Sequence, residues 1–252
     1  KSLDRPVSNI KFTKDGSSVA VLISDDRERY IGQFNLATGA LTKIAGGKKA
    51  YSAIQMHSPN NWLAAMSEPQ LPTELYAVEN GVPRRLTKHQ DEFVAPLELS
   101  TVEGFSSTSV DGTNVSSIAF RPAGVPATQK LPTLFYIHGG PVAQDEYGFD
   151  LTRQMLSGAG YMVVGVNYRG SSGRGWEYSK TISADWGNKE VKDIHGAVDY
   201  VVAKGWADKD KLGIVGWSYG GMLTDYLIAT DTRFKAASSG AGVAMVSSLY
   251  GV

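Results

Sequence analysis

Short runs of alternating apolar and polar residues, separated by turn-forming residues, occupy the first ninety positions of the chain. A period of two places every second side chain on one face of a strand, so these runs predict β-strands. The expected strands are at 10–12, 18–22, 30–35 and 41–44, and again at 54–56, 62–66, 74–78 and 83–86. The second set is offset from the first by 44 residues at its start and by 42 at its end.

This offset predicts two copies of a four-stranded antiparallel unit. Units of about 40–45 residues are typical of β-propeller blades, and an antiparallel meander with accidental internal similarity is the alternative. Propellers close with typically four to eight blades. Because two blades alone would leave sheet edges and an apolar face uncovered, we expect that the chain begins inside a larger propeller or that these strands pack in another way.

From about Val94 the pattern changes to strands that alternate with helices. After two strands at 97–109 and 115–121, helices are expected at 151–156 and 190–204, and strands at 133–137, 161–166, 212–215 and 234–239. Such alternation implies an α/β fold with a mostly parallel sheet, helices on both faces, and ligands at the carboxyl ends of the strands. We therefore divide the chain into 1–92, two propeller blades, and 93–252, an α/β domain.

Composition narrows the function mainly by exclusion. The 252 residues carry 25 basic and 25 acidic side chains, with no basic run that would suggest nucleic acid. No apolar stretch approaches the 18 residues needed to span a membrane. The absence of cysteine excludes disulfides and a cysteine nucleophile. A soluble protein is expected, and its Ser/Thr-rich, cysteine-free composition favours the periplasm or secretion over the cytoplasm.

The most informative stretch is Gly216-Trp217-Ser218-Tyr219-Gly220, which lies between an expected strand and an expected helix. Strand, tight turn and helix form the context in which Gly-x-Ser-x-Gly acts as a nucleophile elbow. The serine at the tip takes a strained backbone conformation, and side chains two residues away on either side would collide. Ser218 is thus the predicted nucleophile, supported by Gly216 and Gly220.

A second motif, His138-Gly139-Gly140-Pro141, directly follows an expected strand. Acyl transfer needs preorganised donors for an oxyanion, and backbone N–H groups of such a glycine loop can supply one. The predicted donors are the N–H of Tyr219 and a glycine N–H of this loop, at Gly139 or Gly140. We expect His138 to have a structural role rather than to act as the base.

Nothing in the sequence predicts a cofactor or a metal. Gly170, Gly173 and Gly175 follow a strand, but their order is G-x-x-G-x-G and no helix opens at them, unlike a dinucleotide-binding loop. His57 and His89 show no metal-ligand spacing with each other or with a pair of carboxylates.

The base that would activate Ser218 is missing from the pattern. A serine is a weak nucleophile without an adjacent base. Only 34 residues follow Ser218 and none of them is histidine. Asp225 and Asp231 lie on or just beyond the helix that follows Ser218, so they are poor candidates for the acid of a triad. His195 lies in a long helix beside its apolar stripe, where catalysis is not expected.

Four motifs in order resemble the prolyl oligopeptidase family of serine peptidases, in particular its acylaminoacyl-peptidase and dipeptidyl-peptidase-like branches. They are HGGP, NYRGSSGRGWEY (Asn167–Tyr178), DWGNKEVKDIHGAVDY (Asp185–Tyr200) and GWSYGGM. The resemblance implies an α/β-hydrolase domain after the last two blades of a propeller. It also implies hydrolysis of short peptides through an acyl-enzyme on Ser218, without a cofactor, and leaves a homo-oligomeric assembly open.

The resemblance also places the triad Asp and His beyond residue 252. The chain is then expected to be part of a longer polypeptide and to be inactive as it stands. Two alternatives stay open at this point: a carboxylesterase on the same fold, and a catalytically inactive fragment or binding module.

Overall fold

The strands expected in the first ninety residues all form in a computed structural model, which describes residues 3–58, 61–243 and 245–249. The first set is β1 (Val7–Phe12), β2 (Ser18–Asp25), β3 (Glu28–Asn35) and β4 (Leu41–Ala45). The second set is β5 (Ala50–Ser58), β6 (Asn61–Glu68), β7 (Leu71–Glu79) and β8 (Val82–Arg85). The strands of the second set begin 43 residues after their counterparts, except for the last, which begins 41 residues after.

Each set is an antiparallel meander, and the two sets join through one parallel pairing, Arg29 with Ala50. Two-residue turns with positive φ close the hairpins at Asp26–Arg27 (37° and 74°) and at Asn80–Gly81 (50° and 83°), a geometry that matches the twist of the flanking strands. Both sets contribute to one apolar core, which includes Leu22, Ile31, Tyr51, Trp62 and Met66. That the two meanders are propeller blades stays a prediction.

A short helix, α1 (Asp91–Val94), follows the meanders. By their contacts, the residues form two compact units that meet in sequence between Leu99 and Ser100. The division at 92 and 93, drawn from the hydrophobic pattern, stays a prediction. Two later segments, Glu146–Leu151 and Gly173–Gly175, also belong to the first unit, which the sequence pattern does not predict.

These two segments contact the β2–β3 hairpin of the first unit. The N–H of Tyr147 donates to the carbonyl of Arg27 (2.7 Å), and the N–H of Asp26 donates to the carbonyl of Gly173 (3.0 Å). Arg29 forms an ion pair with Glu146 at 3.0 Å. The strained turn at Asp26–Arg27 is therefore held by partners far along the chain.

Within the described residues of the second unit, six strands form one sheet in the order β14-β13-β11-β12-β10-β9. They are β9 (Thr101–Thr108), β10 (Asn114–Arg121), β11 (Leu131–Ile137), β12 (Met162–Asn167), β13 (Ala207–Trp217) and β14 (Phe234–Gly240). Strands β11 to β14 are parallel, which confirms the prediction for this part of the sheet. Strands β9 and β10 are antiparallel because a tight turn, not a crossover helix, connects them.

Helices cover both faces of this sheet. They are α2 (Leu151–Gly158), α3 (Trp176–Lys180), α4 (Lys189–Ala203) and α5 (Tyr219–Thr230). Phe135 of β11 shares a core with Ile194 of α4 and Leu223 of α5. The ring of the next residue, Tyr136, lies 4.9 Å from the guanidinium of Arg153 in α2. Since consecutive side chains on a strand point to opposite faces, α2 lies across the sheet from α4 and α5.

Three short elements are absent from the sequence prediction, and helix α1 is one of them. Helix α3 follows the glycine-rich stretch, and a 3₁₀-helix spans Val246–Leu249. In the part of the chain that the structure describes, no helix is long and apolar enough to cross a bilayer.

Candidate active site

Ser218 occupies the single residue between the end of β13 and the start of α5. Its backbone angles are φ 58° and ψ −121°, a combination that costs a residue with a side chain about 1–3 kcal/mol. The surrounding backbone holds it there, because its N–H donates to the carbonyl of Gly240 (2.9 Å) and its carbonyl accepts from Met222 (3.0 Å). Such strain is typical of functional positions.

The two glycines of the motif allow the turn to close. A methyl group added at Gly216 would lie 2.0 Å from the carbonyl oxygen of Gly220. One added at Gly220 would lie 2.1 Å from the carbonyl oxygen of Ile137, the last residue of β11. Both distances are far inside van der Waals contact, so any other residue at these positions would push the helix away from the sheet.

The HGGP loop lies directly against Ser218. A methyl group added at Gly139 would lie 3.2 Å from Cβ and 3.7 Å from Oγ of Ser218. Gly140 has φ +129°, and a methyl group there would lie 2.7 Å from the backbone nitrogen of Val142. The glycines therefore let the loop backbone approach the serine hydroxyl.

Backbone N–H groups are available at both predicted positions. Tyr219 is the first residue of α5, where a helical N–H has no partner within its own helix. Among the described residues, no hydrogen bond from the N–H of Tyr219, Gly139 or Gly140 is present. The positive end of the α5 dipole adds to the attraction for negative charge at this point. The arrangement can bind an oxyanion formed at Ser218.

His138 is held as part of this loop. Its Nδ1 lies 2.8 Å from the carbonyl oxygen of Gly139 and its Nε2 lies 3.0 Å from Oγ of Ser171. Since a carbonyl can only accept, Nδ1 carries the proton and Nε2 accepts from the serine hydroxyl. Its ring stacks on Tyr168 at 4.5 Å, and burial lowers the pKa of His138. An uncharged imidazole with a hydrogen bond at each ring nitrogen supports a structural role for His138.

Three residues at this site have no role in the sequence prediction: Tyr168, Trp186 and Glu190. The hydroxyl of Tyr219 donates to Oε1 of Glu190 at 2.5 Å. The rings of Trp186 and Tyr219 are perpendicular at 5.5 Å, and the rings of Tyr168 and Tyr219 are stacked at 6.2 Å. The sequence shows that Glu190 lies at the start of an expected helix. It does not show that Glu190 is buried or that it contacts Tyr219.

An ion-pair network fixes the loop after β12. The guanidinium of Arg169 donates to Asp193 of α4 at 2.7 Å and to Asp111 at 2.5 Å. The backbone N–H of Arg169 also donates to Asp193. A methyl group on Gly170 would lie 2.5 Å from the Ile182 side chain. This first glycine of the stretch thus serves close packing.

Asp111 should make stability depend on pH. Its hydrogen bond with Arg169 lowers the pKa of Asp111 to about 2. A carboxyl with a depressed folded-state pKa stabilises the fold above its unfolded pKa and loses that contribution as pH falls towards 2. Asp111→Asn is therefore expected to lower the free energy of unfolding at pH 6 by less than about 1 kcal/mol, because the group is partly exposed. Urea unfolding at pH 6 and near pH 2 checks this. An equal loss at both values would contradict it.

A cleft of about 540 Å³ opens beside the HGGP loop. Its walls include Pro141 and Val142 of the loop, Ile182, and the indole rings of Trp176 and Trp186. Val142 is 67% exposed and Trp176 is 65% exposed. Clustered exposed apolar side chains mark binding sites, so this cleft is the candidate for contact with an apolar part of a ligand.

No base is found for Ser218 in the described part of the chain. Its Oγ has no hydrogen-bond partner among those residues, and His138 is engaged as described above. His195 instead lies 3.2 Å from Asp231, which also binds Arg233. Among the described residues, no group of three or more His, Asp or Glu side chains could hold a metal ion.

Comparison with known proteins relates this site to peptidases. The chain is 30% identical to the uncharacterised peptidase YuxL of Bacillus subtilis over 245 residues, which are 96% of the chain and 37% of that protein. It is 27% identical to dipeptidyl-peptidase 5 of Porphyromonas gingivalis, over 96% of the chain and 36% of the relative. The chain thus spans little more than a third of the length of these relatives.

Solved structures show the same arrangement of elements. A Mycobacterium tuberculosis puromycin-hydrolysing peptidase superposes with a TM-score of 0.83 at 25% identity, over 98% of this chain and 40% of that one. The acylaminoacyl peptidase of Pyrococcus horikoshii has a TM-score of 0.84 at 24% identity, over 96% and 38%, a likeness of fold alone. Residues 147–252, which include Ser218 and its helix, match the profile of the prolyl oligopeptidase family. The chain is therefore similar, through residues 147–252 and through these relatives, to the prolyl oligopeptidase family.

Proposed function

We propose that this chain carries the nucleophile and the oxyanion-binding groups of a serine peptidase. The observation that carries the proposal is the strained Ser218 at the strand–helix junction, with the HGGP loop against its side chain. The match of residues 147–252 to the prolyl oligopeptidase profile and the names of the relatives, a dipeptidyl peptidase among them, support hydrolysis of peptides.

In the proposed reaction, Oγ of Ser218 attacks the carbonyl carbon of the scissile peptide bond. The N–H groups of Tyr219 and Gly140 donate to the oxyanion that forms, with Gly139 allowing the approach. Collapse of this intermediate releases the amine and leaves an acyl-enzyme, which water hydrolyses. The serine proton passes to a base and then to the leaving amine. We place that base, a histidine with its aspartate, in sequence beyond residue 252.

The same proposal assigns the parts of the chain. Residues 1–92 would be the last two blades of a propeller, and 93–252 the first part of an α/β-hydrolase domain. Short peptides are the proposed substrates. Relatives named as dipeptidyl and acylaminoacyl peptidases leave both preferences, and that of an aminopeptidase, open. The two relatives described above are both named as peptidases, so the carboxylesterase alternative is not favoured.

The test is covalent labelling of the full-length protein with a fluorophosphonate, together with turnover of peptidyl anilides and of a simple ester. We expect label on Ser218 and release of the anilide product, both absent from a Ser218→Ala control. Turnover of the ester alone would support the carboxylesterase. A fully folded protein without label would refute both hydrolase functions.

The 252-residue chain expressed by itself is expected to remain unlabelled under conditions that label the full-length protein. The reason is that Ser218 has no base among the described residues, and an unassisted serine hydroxyl is a weak nucleophile. Mass spectrometry of both proteins after the same exposure measures the difference. Labelling of the isolated chain at a comparable rate would show that the base lies within residues 1–252.

A further inference from the structure

The side chain of Tyr219 is buried and held by several contacts, although the residue directly follows the candidate nucleophile. It is 7% exposed, packs against the rings of Tyr168 and Trp186, and donates its hydroxyl hydrogen to Glu190. Tyr219 directly follows Ser218, and its N–H is a proposed oxyanion donor. Whatever fixes this ring therefore also fixes the peptide unit that joins the nucleophile to the donor.

Glu190, which accepts the hydrogen bond from the Tyr219 hydroxyl, is an unusual residue for this position. It is the second residue of α4 and is completely buried. Its Oε1 accepts from the Tyr219 hydroxyl and from the N–H of Gly187 (3.3 Å), whereas its Oε2 has no hydrogen-bond partner among the described residues. Burial raises the pKa of both Glu190 and Tyr219.

Stability alone does not explain a carboxyl group here. A buried polar atom without a partner costs free energy, and an apolar side chain of the same size would avoid that cost. The other buried acid of this helix, Asp193, differs because Arg169 pairs with it. Glu190 has the Tyr219 hydroxyl and one backbone N–H instead of a cation.

We propose that Glu190 is a positioning residue for acyl transfer, which holds Tyr219 so that its backbone N–H stays directed at the oxyanion formed on Ser218. This inference rests on the proposed function. Donors at such sites act only within about 0.5 Å and 10–20° of the productive geometry. A ring held at its far end by a hydrogen bond and packed against two aromatic rings limits rotation of the residue that carries the donor.

Four single variants of the full-length protein, and the double variant Tyr219→Phe with Glu190→Leu, test the proposal. Tyr219→Phe removes the hydroxyl but keeps the ring and the backbone N–H. Glu190→Leu removes the acceptor at similar size, while Glu190→Gln keeps an acceptor oxygen. Tyr200→Phe is the matched control, because Tyr200 stacks on Phe105 elsewhere on α4.

The expected readout is a change in kcat with little change in KM. Loss of a whole oxyanion donor costs about 100–1,000-fold in kcat, so a displaced donor should cost less, about 10–100-fold, in Tyr219→Phe and Glu190→Leu. The double variant should fall no further than the single ones, since both remove the same contact. Glu190→Gln should stay within about threefold of the wild type, and Tyr200→Phe should be unchanged.

A second measurement separates this inference from the proposed function. In full-length protein labelled with nitrogen-15 tyrosine, the amide signal of Tyr219 should shift in Glu190→Leu relative to the wild type, and stay in place in Glu190→Gln. If the wild type takes no fluorophosphonate label, the proposed function fails, and this signal still tests the positioning contact. If Glu190→Leu lowers the melting temperature but leaves both kcat and the amide signal unchanged, Glu190 only packs and the inference is overturned.

Discussion

A Ser218→Gly variant of the full-length protein is expected to lack the proposed peptidase activity while its conformational stability rises. Removal of the nucleophile should lower kcat on the order of a million-fold, as removal of the nucleophilic serine does in subtilisin. Stability should rise because φ 58° and ψ −121° strain any residue with a side chain. Glycine adopts positive φ without that cost.

Ser218→Ala is the matched control, since it removes the same hydroxyl but keeps the Cβ that causes the strain. Both variants should be equally inactive towards peptidyl anilides. In urea unfolding, the glycine variant should exceed the alanine variant by about 1 kcal/mol, the relief of strain less the greater entropy of glycine in the unfolded chain. Equal stability would show that no strain is stored at the elbow, and retained activity would reject Ser218 as the nucleophile.

Gly220→Ala is expected to cause the largest loss of stability among these variants, about 3 kcal/mol or more, together with loss of fluorophosphonate labelling. The added methyl would lie 2.1 Å from the carbonyl oxygen of Ile137 and 2.8 Å from that of His138. Both are backbone atoms, one at the end of a central strand and one in the HGGP loop, and they cannot rotate away. Overpacking in well-ordered regions costs 1–3 kcal/mol and sometimes more.

Gly158→Ala provides the control for this substitution. Gly158 is the last residue of α2, and a methyl group there has no heavy atom within 4 Å. Its stability should be unchanged or higher by up to about 1 kcal/mol, because alanine favours the helix over glycine. A Gly220→Ala protein that unfolds like this control would show that the elbow tolerates a side chain.

Local patterns were sufficient where a short segment determines its own structure. The meander strands follow from alternation, and the turn at Asn80–Gly81 follows from residues that accept positive φ. The Gly-x-Ser-x-Gly pattern is also visible locally, and an added methyl at Gly216 would meet Gly220 of the same turn, whereas one at Gly220 would meet Ile137 of a neighbouring strand. Helix α3 was not predicted because its five residues, which follow a glycine-rich stretch, are too few to show a helical hydrophobic period.

Contacts between distant residues were not predictable in the same way. Segments 146–151 and 173–175 belong to the first unit although they lie within the later sequence. No periodicity signals that Arg29 will meet Glu146, since a charged residue on a strand is compatible with many partners. The limit of the first compact unit at Leu99 depends on contacts in the same way, and a change of hydrophobic pattern does not report such contacts.

The sequence by itself determined the two β-meanders, the parallel strands of the second unit, and Ser218 with the HGGP loop as the candidate chemistry. Each depends on periodicity or on glycine at fixed spacing, which are local properties of the chain. Only the tertiary structure decided that Gly139 lies against Ser218, that His138 is engaged by Ser171, and that Glu190 accepts from Tyr219. Those contacts join residues 29 to 79 positions apart, and they arise because the parallel sheet brings the ends of separate strands to one edge.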